Sequence, residues 1–260
     1  MTVINTNVNS LTAAASLAVN ERNLSTAMER LSTGKRINGA KDDAAGQGIA
    51  SRMTAQIRGL DQAVRNANDG ISMLQTADGA MEEVSNMLQR MRELAVQYQS
   101  STNVTDDKTA LATEYTALNT EITRINGDTT WNSLELFASG ARAFQVGANS
   151  GDTITITITD FAVTASDITS GTVLSTLDTN ITSMNTARSK LGAGINRLTY
   201  ASNNALNISA NTSASRSRIQ DTDYAKVSAE LARTQIIQQA ATAMLAQANQ
   251  GAQSVLALLK

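Results

Sequence analysis

Cysteine, histidine and proline are all absent from this 260-residue chain. Without cysteine there is no disulfide and no thiol nucleophile. Without histidine the usual general base and the commonest zinc ligand are missing. Without proline nothing in the chain forbids long unbroken helices. Aromatic residues make up only 3%, so a core must be assembled from Ala, Leu, Ile, Val and Met, side chains small enough to let helices approach closely. The formal net charge of -2 gives no electrostatic case for nucleic acid or an anionic membrane as partner. No stretch reaches the ~20 apolar residues of a membrane span. The opening "MTVINTNVNS" has no basic region followed by an apolar run, so no cleaved secretory signal is expected.

What the chain does have is helical period. In "LTAAASLAVNERNLSTAMERLS", Leu17, Leu24 and Leu31 are seven apart and Met28 falls four after Leu24. Gly34 is the expected stop, Asn38-Gly39 a turn, and Asp42 and Asp43 the caps of a new helix. That second helix carries the strongest signal. Apolar residues at Met53, Ile57, Leu60, Val64, Ala67, Ile71, Leu74, Ala77, Met81, Val84, Leu88, Met91, Ala95 and Tyr98 step by three and four. One extra three-step, from Leu74 to Ala77, resembles a coiled-coil stammer. A helix from Asp43 to Gln99 would be ~85 Å long, which predicts a rod rather than a globule.

After the polar "SSTNVTDDKT" a third helix carries Leu111, Tyr115, Leu118, Ile122 and Ile125. The period then changes to two: Phe144 and Val146, a turn at "GANSGD", and Ile154, Ile156 and Ile158 alternating with threonine predict a β-hairpin at about 142–162. Beyond Val173 the helical period returns, is interrupted at "SASRSRIQDTD", and resumes with Ile237, Ala241, Leu245, Ala248, Ala252 and Val255. The final "SVLALLK" crowds Val255, Leu256, Leu258 and Leu259 over an arc of about 160°, wider than one partner helix covers. The expected fold is mainly α: a long antiparallel helical bundle or coiled-coil rod with a small β-hairpin, its two termini paired in a separate helical domain.

Fragments that imitate catalytic motifs do not survive inspection. "STGK" at 32–35 has Glu29 where a phosphate-binding loop needs glycine, and no strand precedes it. "GAGINR" at 192–197 lies within a helical pattern. The acidic pairs Asp42/Asp43 and Glu82/Glu83 suit a helix cap and a solvated face. No cofactor, metal or catalytic residue is expected, and the chain reads as a non-enzyme. The alternatives that the seams leave open are a scaffold that buries them within one chain and a subunit whose terminal seams are completed by other copies.

The stretches "INTNVNSLTAAASL", "LSTGKRINGAKDDAAG" and "RNANDGISMLQTADGAMEEVSNMLQRMRELAVQ" resemble the N-terminal half of bacterial flagellins. "FQVGANSGDTI" is similar to that family's hairpin, and "DTDYAKVSAELARTQIIQQAATAMLAQANQ" to its C-terminal helix. The likeness spans nearly the whole chain, with only "TASDITSGT" where large outer domains are often inserted. Ala252 stands where the family usually has proline. The resemblance implies a filament subunit: residues 1–43 and 221–260 as an inner terminal helical domain, 44–220 as the rod. It implies signal-free export and an extracellular, secreted location in the flagellum. Implied partners are further copies of the chain, flagellar cap and hook-associated proteins, and an export chaperone with the export apparatus. An animal Toll-like receptor would read Arg90, Leu94, Gln97 and Glu114. Polymerisation would fall on Leu17, Leu24, Met28, Leu31, Leu245, Val255, Leu256, Leu258 and Leu259. The rival readings are a hook–filament junction protein and a cytoplasmic coiled-coil scaffold.

Overall fold

A computed structural model describes residues 6–138, 140–158, 163 and 167–257, with the backbone alone for 251–257. The chain divides into two compact units, one of residues up to Ala55 together with Thr212 onward, the other of Gln56–Asn211.

In the first unit, α1 (Val8–Thr33) pairs with α5 (Tyr224–Ala257). Asn7 caps α1, its Oδ1 accepting from the Ser10 amide at 3.1 Å. Gly34 ends it at φ 68°, a left-handed conformation that a Cβ would strain. The chain then lies against the end of α4 (Val173–Gln220). The Arg36 amide donates to the Gln220 carbonyl at 2.7 Å, and its guanidinium donates to the Ile219 carbonyl at 2.6 Å, satisfying a helix end. The Thr222 amide donates to the Gly34 carbonyl at 2.9 Å.

The two expected caps act in opposite directions. Asp43 Oδ1 accepts from the Gly46 amide at 2.8 Å and starts α2 (Ala44–Tyr98). Asp42 Oδ2 reaches back to the amides of Asn38 and Gly39 at 3.1 and 3.0 Å, closing the turn over buried Ile37.

The second unit is an antiparallel bundle of α2, α3 (Thr105–Asp128) and α4. Two pairs of cross-helix contacts fix the directions: Arg92 meets Asp178 at 2.7 Å and Arg188 meets Asp78 at 2.9 Å for α4, and Arg90 meets Glu114 at 2.9 Å and Lys108 lies 5.5 Å from the Tyr98 ring for α3. As one index rises the other falls. The core joins Leu74, Met81, Leu88 and Met91 of α2 to Tyr115 and Ile122 of α3 and to Leu177, Met184, Leu191 and Leu198 of α4. The expected stripe on α2 is buried or half-buried throughout. From Met73 onward it widens to adjacent pairs such as Met73/Leu74 and Leu94/Ala95, because neighbours cover α2 from more than one side.

The hairpin is β3 (Gly140–Gln145) with β4 (Thr153–Ile158), registering Arg142 with Ile156 and Phe144 with Ile154. The expected extension through 159–162 lies outside the described residues. A smaller hairpin, β1 (Thr130–Trp131) with β2 (Leu134–Glu135), turns through Asn132 and Ser133 at φ 48° and 65°. Two residues with positive φ match the right-handed twist of the strands they join. Sequence patterning misses this hairpin because its strands are too short to show a period. The expected interruption at 213–223 is also shorter than the pattern suggests: α4 continues through the serines and arginines to Gln220. Arg216 donates to Thr54 Oγ1 at 3.3 Å there.

Glycines seat the larger hairpin on the helices. A Cβ on Gly70 would stand 2.8 Å from the Phe144 ring and 3.1 Å from Leu198, while one on Gly79 would meet nothing within 4 Å. Both sit inside α2, where alanine gains up to ~1 kcal/mol of helix propensity. Gly79→Ala should therefore raise the thermal midpoint of the monomer. Gly70→Ala should lower it, because the rigid ring must move. Circular dichroism melts of the two variants check the sign.

Asp42 supplies a pH test. The amides of Asn38 and Gly39 hold its carboxyl below the usual carboxylate value. A depressed folded pKa contributes order above the unfolded pKa and loses it as pH falls through the folded one. Hydrogen-exchange protection factors at the Asn38 and Gly39 amides should drop at pH values below the ordinary carboxylate range. Asp42→Ala should show the drop already at neutral pH.

Candidate interaction surfaces

Among the described residues no cluster of acidic side chains could hold a metal ion, and no helix is long and apolar enough to cross a membrane. The features that remain are surfaces.

The terminal pair carries apolar residues on two sides. At ~100° per residue, Leu17, Leu24 and Leu31 fall on the side of α1 that carries Asn20 and Ala27, the residues of that helix most buried. All three leucines are half-buried, as is Leu245 on the corresponding side of α5. These sequence-predicted residues line the seam between the chain's own two ends. Met28 sits at its edge, 51% exposed.

A second apolar set points away. Val8, Leu11 and Val19 lie away from the seam on α1, roughly 100° to 180° around the helix from Asn20, and all are exposed. On α5, Ile236 lies opposite the seam at 67% exposure, while Ile237 and Met244, also exposed, flank the seam ~60° and ~80° from Thr234. Ile237 belongs to the period read in the sequence, whereas the others stand outside it because the leucine heptads dominate the pattern. The signal was present in the spacing of Val8, Leu11 and Val19, which repeats on one face. Of the C-terminal tip, Val255 and Leu256 belong to α5 and their side chains lie outside the description, as do Leu258 and Leu259 altogether.

The predicted recognition residues fall at the α2–α3 boundary. Arg90 donates to Glu114 at 2.9 Å and to Glu93 at 3.0 Å, and the pairing, Glu114 foremost, raises its guanidinium above the ordinary value. Gln97 is exposed one turn of α2 beyond Glu93. Leu94 does not join them at the surface. It is fully buried, packed in the core, because the neighbours of α2 reach around the helix as far as Leu94, ~60° from Met91, and stop short of Arg90 and Gln97. The surface group is thus Arg90, Glu93, Gln97 and Glu114, with Leu94 beneath it.

Long antiparallel helices, terminal helices paired separately and an added hairpin define a structural, assembling class of protein. Comparison narrows it. The bacterial flagellin N-terminal helical region matches residues 4–141, and the bacterial flagellin C-terminal helical region matches residues 174–259. A flagellin of Halalkalibacterium halodurans is 46% identical over 271 residues, covering 99% of this chain and all of that one. A flagellin of Xenorhabdus nematophila is 39% identical over 310 residues, with 99% of each covered. The crystal structure of Bacillus cereus flagellin, 33% identical, superposes with a TM-score of 0.50 over 54% of this chain and 88% of that one.

This chain belongs to the bacterial flagellin family, a family of structural proteins. It is a structural subunit of the flagellar filament, in a short form of 260 residues.

The Arg90 cluster is a solvated network, and exposed ion pairs contribute little to stability. Arg90→Ala, Glu114→Ala and the double variant should each move the thermal midpoint by no more than about 2 °C. Melts of the three variants against the parent check this, and a larger loss would assign the cluster a structural role.

Proposed function

We propose that the outward apolar faces of α1 and α5, together with the C-terminal tip, are the surfaces through which copies of this subunit pack in the filament. One observation carries the reading: Val8, Leu11, Val19, Ile236, Ile237 and Met244 remain exposed after the two terminal helices have covered each other. Six large aliphatic side chains left exposed on the flanks and backs of two paired helices are more apolar surface than a soluble monomer usually leaves in water. A polymer of identical copies covers it in every subunit at once. In this reading Leu17, Leu24, Leu31 and Leu245 hold the pair together, and Met28 and the tip residues Val255, Leu256, Leu258 and Leu259 make contacts between copies.

The finer partners follow the same logic. Flagellar cap and hook-associated proteins would meet the terminal helices at the filament ends. An export chaperone would shield the same apolar surface before assembly, and the export apparatus would deliver the chain to the outside. A Toll-like receptor would read the exposed polar group Arg90, Gln97 and Glu114, supported from below by Leu94.

The tip provides the test. Leu256→Asp or Leu259→Asp would put an unpaired carboxylate into an apolar contact repeated at every subunit, at a cost of several kcal/mol or forced protonation. Either variant should abolish or severely weaken polymerisation after salting-out, seen by electron microscopy, while monomer helicity by circular dichroism stays nearly unchanged. Filaments of normal length and stability from either variant at neutral pH would refute the proposal.

A further inference from the structure

The seam between α1 and α5 contains one layer that its leucines do not explain. Asn20 is only 6% exposed and Thr234 only 5%, and they are the two buried polar residues of the pair among those described. Asn20 Nδ2 donates to the Thr234 carbonyl at 2.8 Å. The Thr234 hydroxyl turns back to the Glu230 and Leu231 carbonyls, both at 2.9 Å, so its donor is satisfied within its own helix. One face of α1 thus presents a buried amide to one place on α5.

The surrounding residues do not select that place. The side of α1 facing α5 alternates large and small, Ala13, Leu17, Asn20, Leu24, Ala27 and Leu31, and α5 answers with Val227, Leu231, Thr234, Gln238, Ala241, Leu245 and Ala248. Leucines are seven apart on α1, and on α5 Leu231 and Leu245 are fourteen apart with Gln238 between them, so a slide of seven residues, ~10 Å, still sets Leu17 against Leu245 and Leu31 against Leu231. In the observed register the two polar side chains share one layer, and Ala27 falls opposite Val227, both buried. A slide of seven sets Asn20 against Ala241 and Thr234 against Ala27, and it takes the buried Asn20 amide away from the Thr234 carbonyl, while the Thr234 hydroxyl keeps its bonds within α5. It also breaks the bond at the end of the pair, where Asn7 Nδ2 donates to the Ala248 carbonyl at 3.0 Å.

We propose that Asn20 is the residue that specifies the register of the α1–α5 pair, by confining its amide to the Thr234 layer. A buried asparagine in a helical seam selects register at some cost in stability. The register matters to the filament role proposed above, because it sets the axial alignment of Val8, Leu11 and Val19 with Ile236 and Met244. A subunit slipped by seven residues would present a different outer surface from its neighbours.

The absence of cysteine makes the register readable in the full-length soluble chain. Ala13→Cys with Ala241→Cys reports the observed register, and Ala13→Cys with Ala248→Cys reports a slide of seven. A disulfide tolerates Cα separations only up to ~7 Å, so the two pairs do not substitute for each other. After oxidation, peptide mass spectrometry should find the 13–241 bond dominant and the 13–248 bond at trace level. In an Asn20→Leu background the 13–248 yield should rise about tenfold relative to 13–241, while the helix pair melts no earlier. An Asn20→Ala background, which removes the amide without adding bulk, should shift the ratio in the same direction and carries the test if the leucine variant does not fold. An unchanged ratio in the folded variants would overturn the proposal. The ratio is read whether or not filaments form, so its failure is distinct from failure of the assembly reading.

Discussion

The rest of this structure depends on a requirement that aliphatic side chains must be covered from several directions. Leu74, Met81, Leu88 and Met91 run along one side of a 55-residue helix, and α4 alone does not close the whole arc around them. α3 covers part of the stripe and α4 runs antiparallel beside it, while β3 and β4 contribute Phe144, Ile156 and Ile158 where helices alone leave space. With so few aromatic residues to fill gaps, coverage comes from close approach. This is why Gly70 and Gly194 lie beneath Phe144 and Ile156, each seat too tight for a Cβ. Packing of this density makes the hairpin part of the bundle rather than an appendage.

The same requirement, left unmet, explains assembly. In the bundle, the wide apolar arc of α2 is matched by neighbours in the same chain. In the terminal pair, among the described residues, α1 and α5 cover each other and still leave large apolar residues exposed. A helix pair cannot cover both faces of its own members, so the second face belongs to other copies in the assembly we propose. Specificity within the pair then needs something other than apolar contact, which is non-directional. Asn20 and Asn7, each donating to a carbonyl of α5, supply that direction.

Charges play a secondary part. Arg92 with Asp178 and Arg188 with Asp78 mark the register of α4 on α2, yet their side chains remain one-third or more open to solvent, or close to it. Such pairs orient helices more than they hold them. Asp42 differs because it organises backbone. Its carboxylate closes the turn between α1 and α2 through two amides, and Arg36 closes the end of α4 from the same segment. Arg36 thereby satisfies a helix end and Asp42 the amides of a turn, groups that would otherwise be left without these partners.

Local period and punctuation were enough to locate α1 to α3, the start of α4, the larger hairpin, the stop at Gly34 and the cap at Asp43, whereas Asp42, expected as a second cap of α2, closes the preceding turn instead. Each is a matter of neighbours within about seven residues, where side-chain spacing maps directly onto a face. The likeness of several long stretches to flagellins was legible on the same terms. Partnership was not. Leu94 sits three residues from Met91 and four from Arg90, and only the placement of α3 and α4 decides that it is core while Arg90 is surface. Leu17 and Val19 are both aliphatic and two apart, yet one lines the seam with α5 and the other faces away from it. The two-residue turn at Asn132 and Ser133 was invisible because two-residue strands have no period. An amino-acid pattern states which faces need covering. Which other part of the chain covers them depends on long-range packing, and only the tertiary structure decides it.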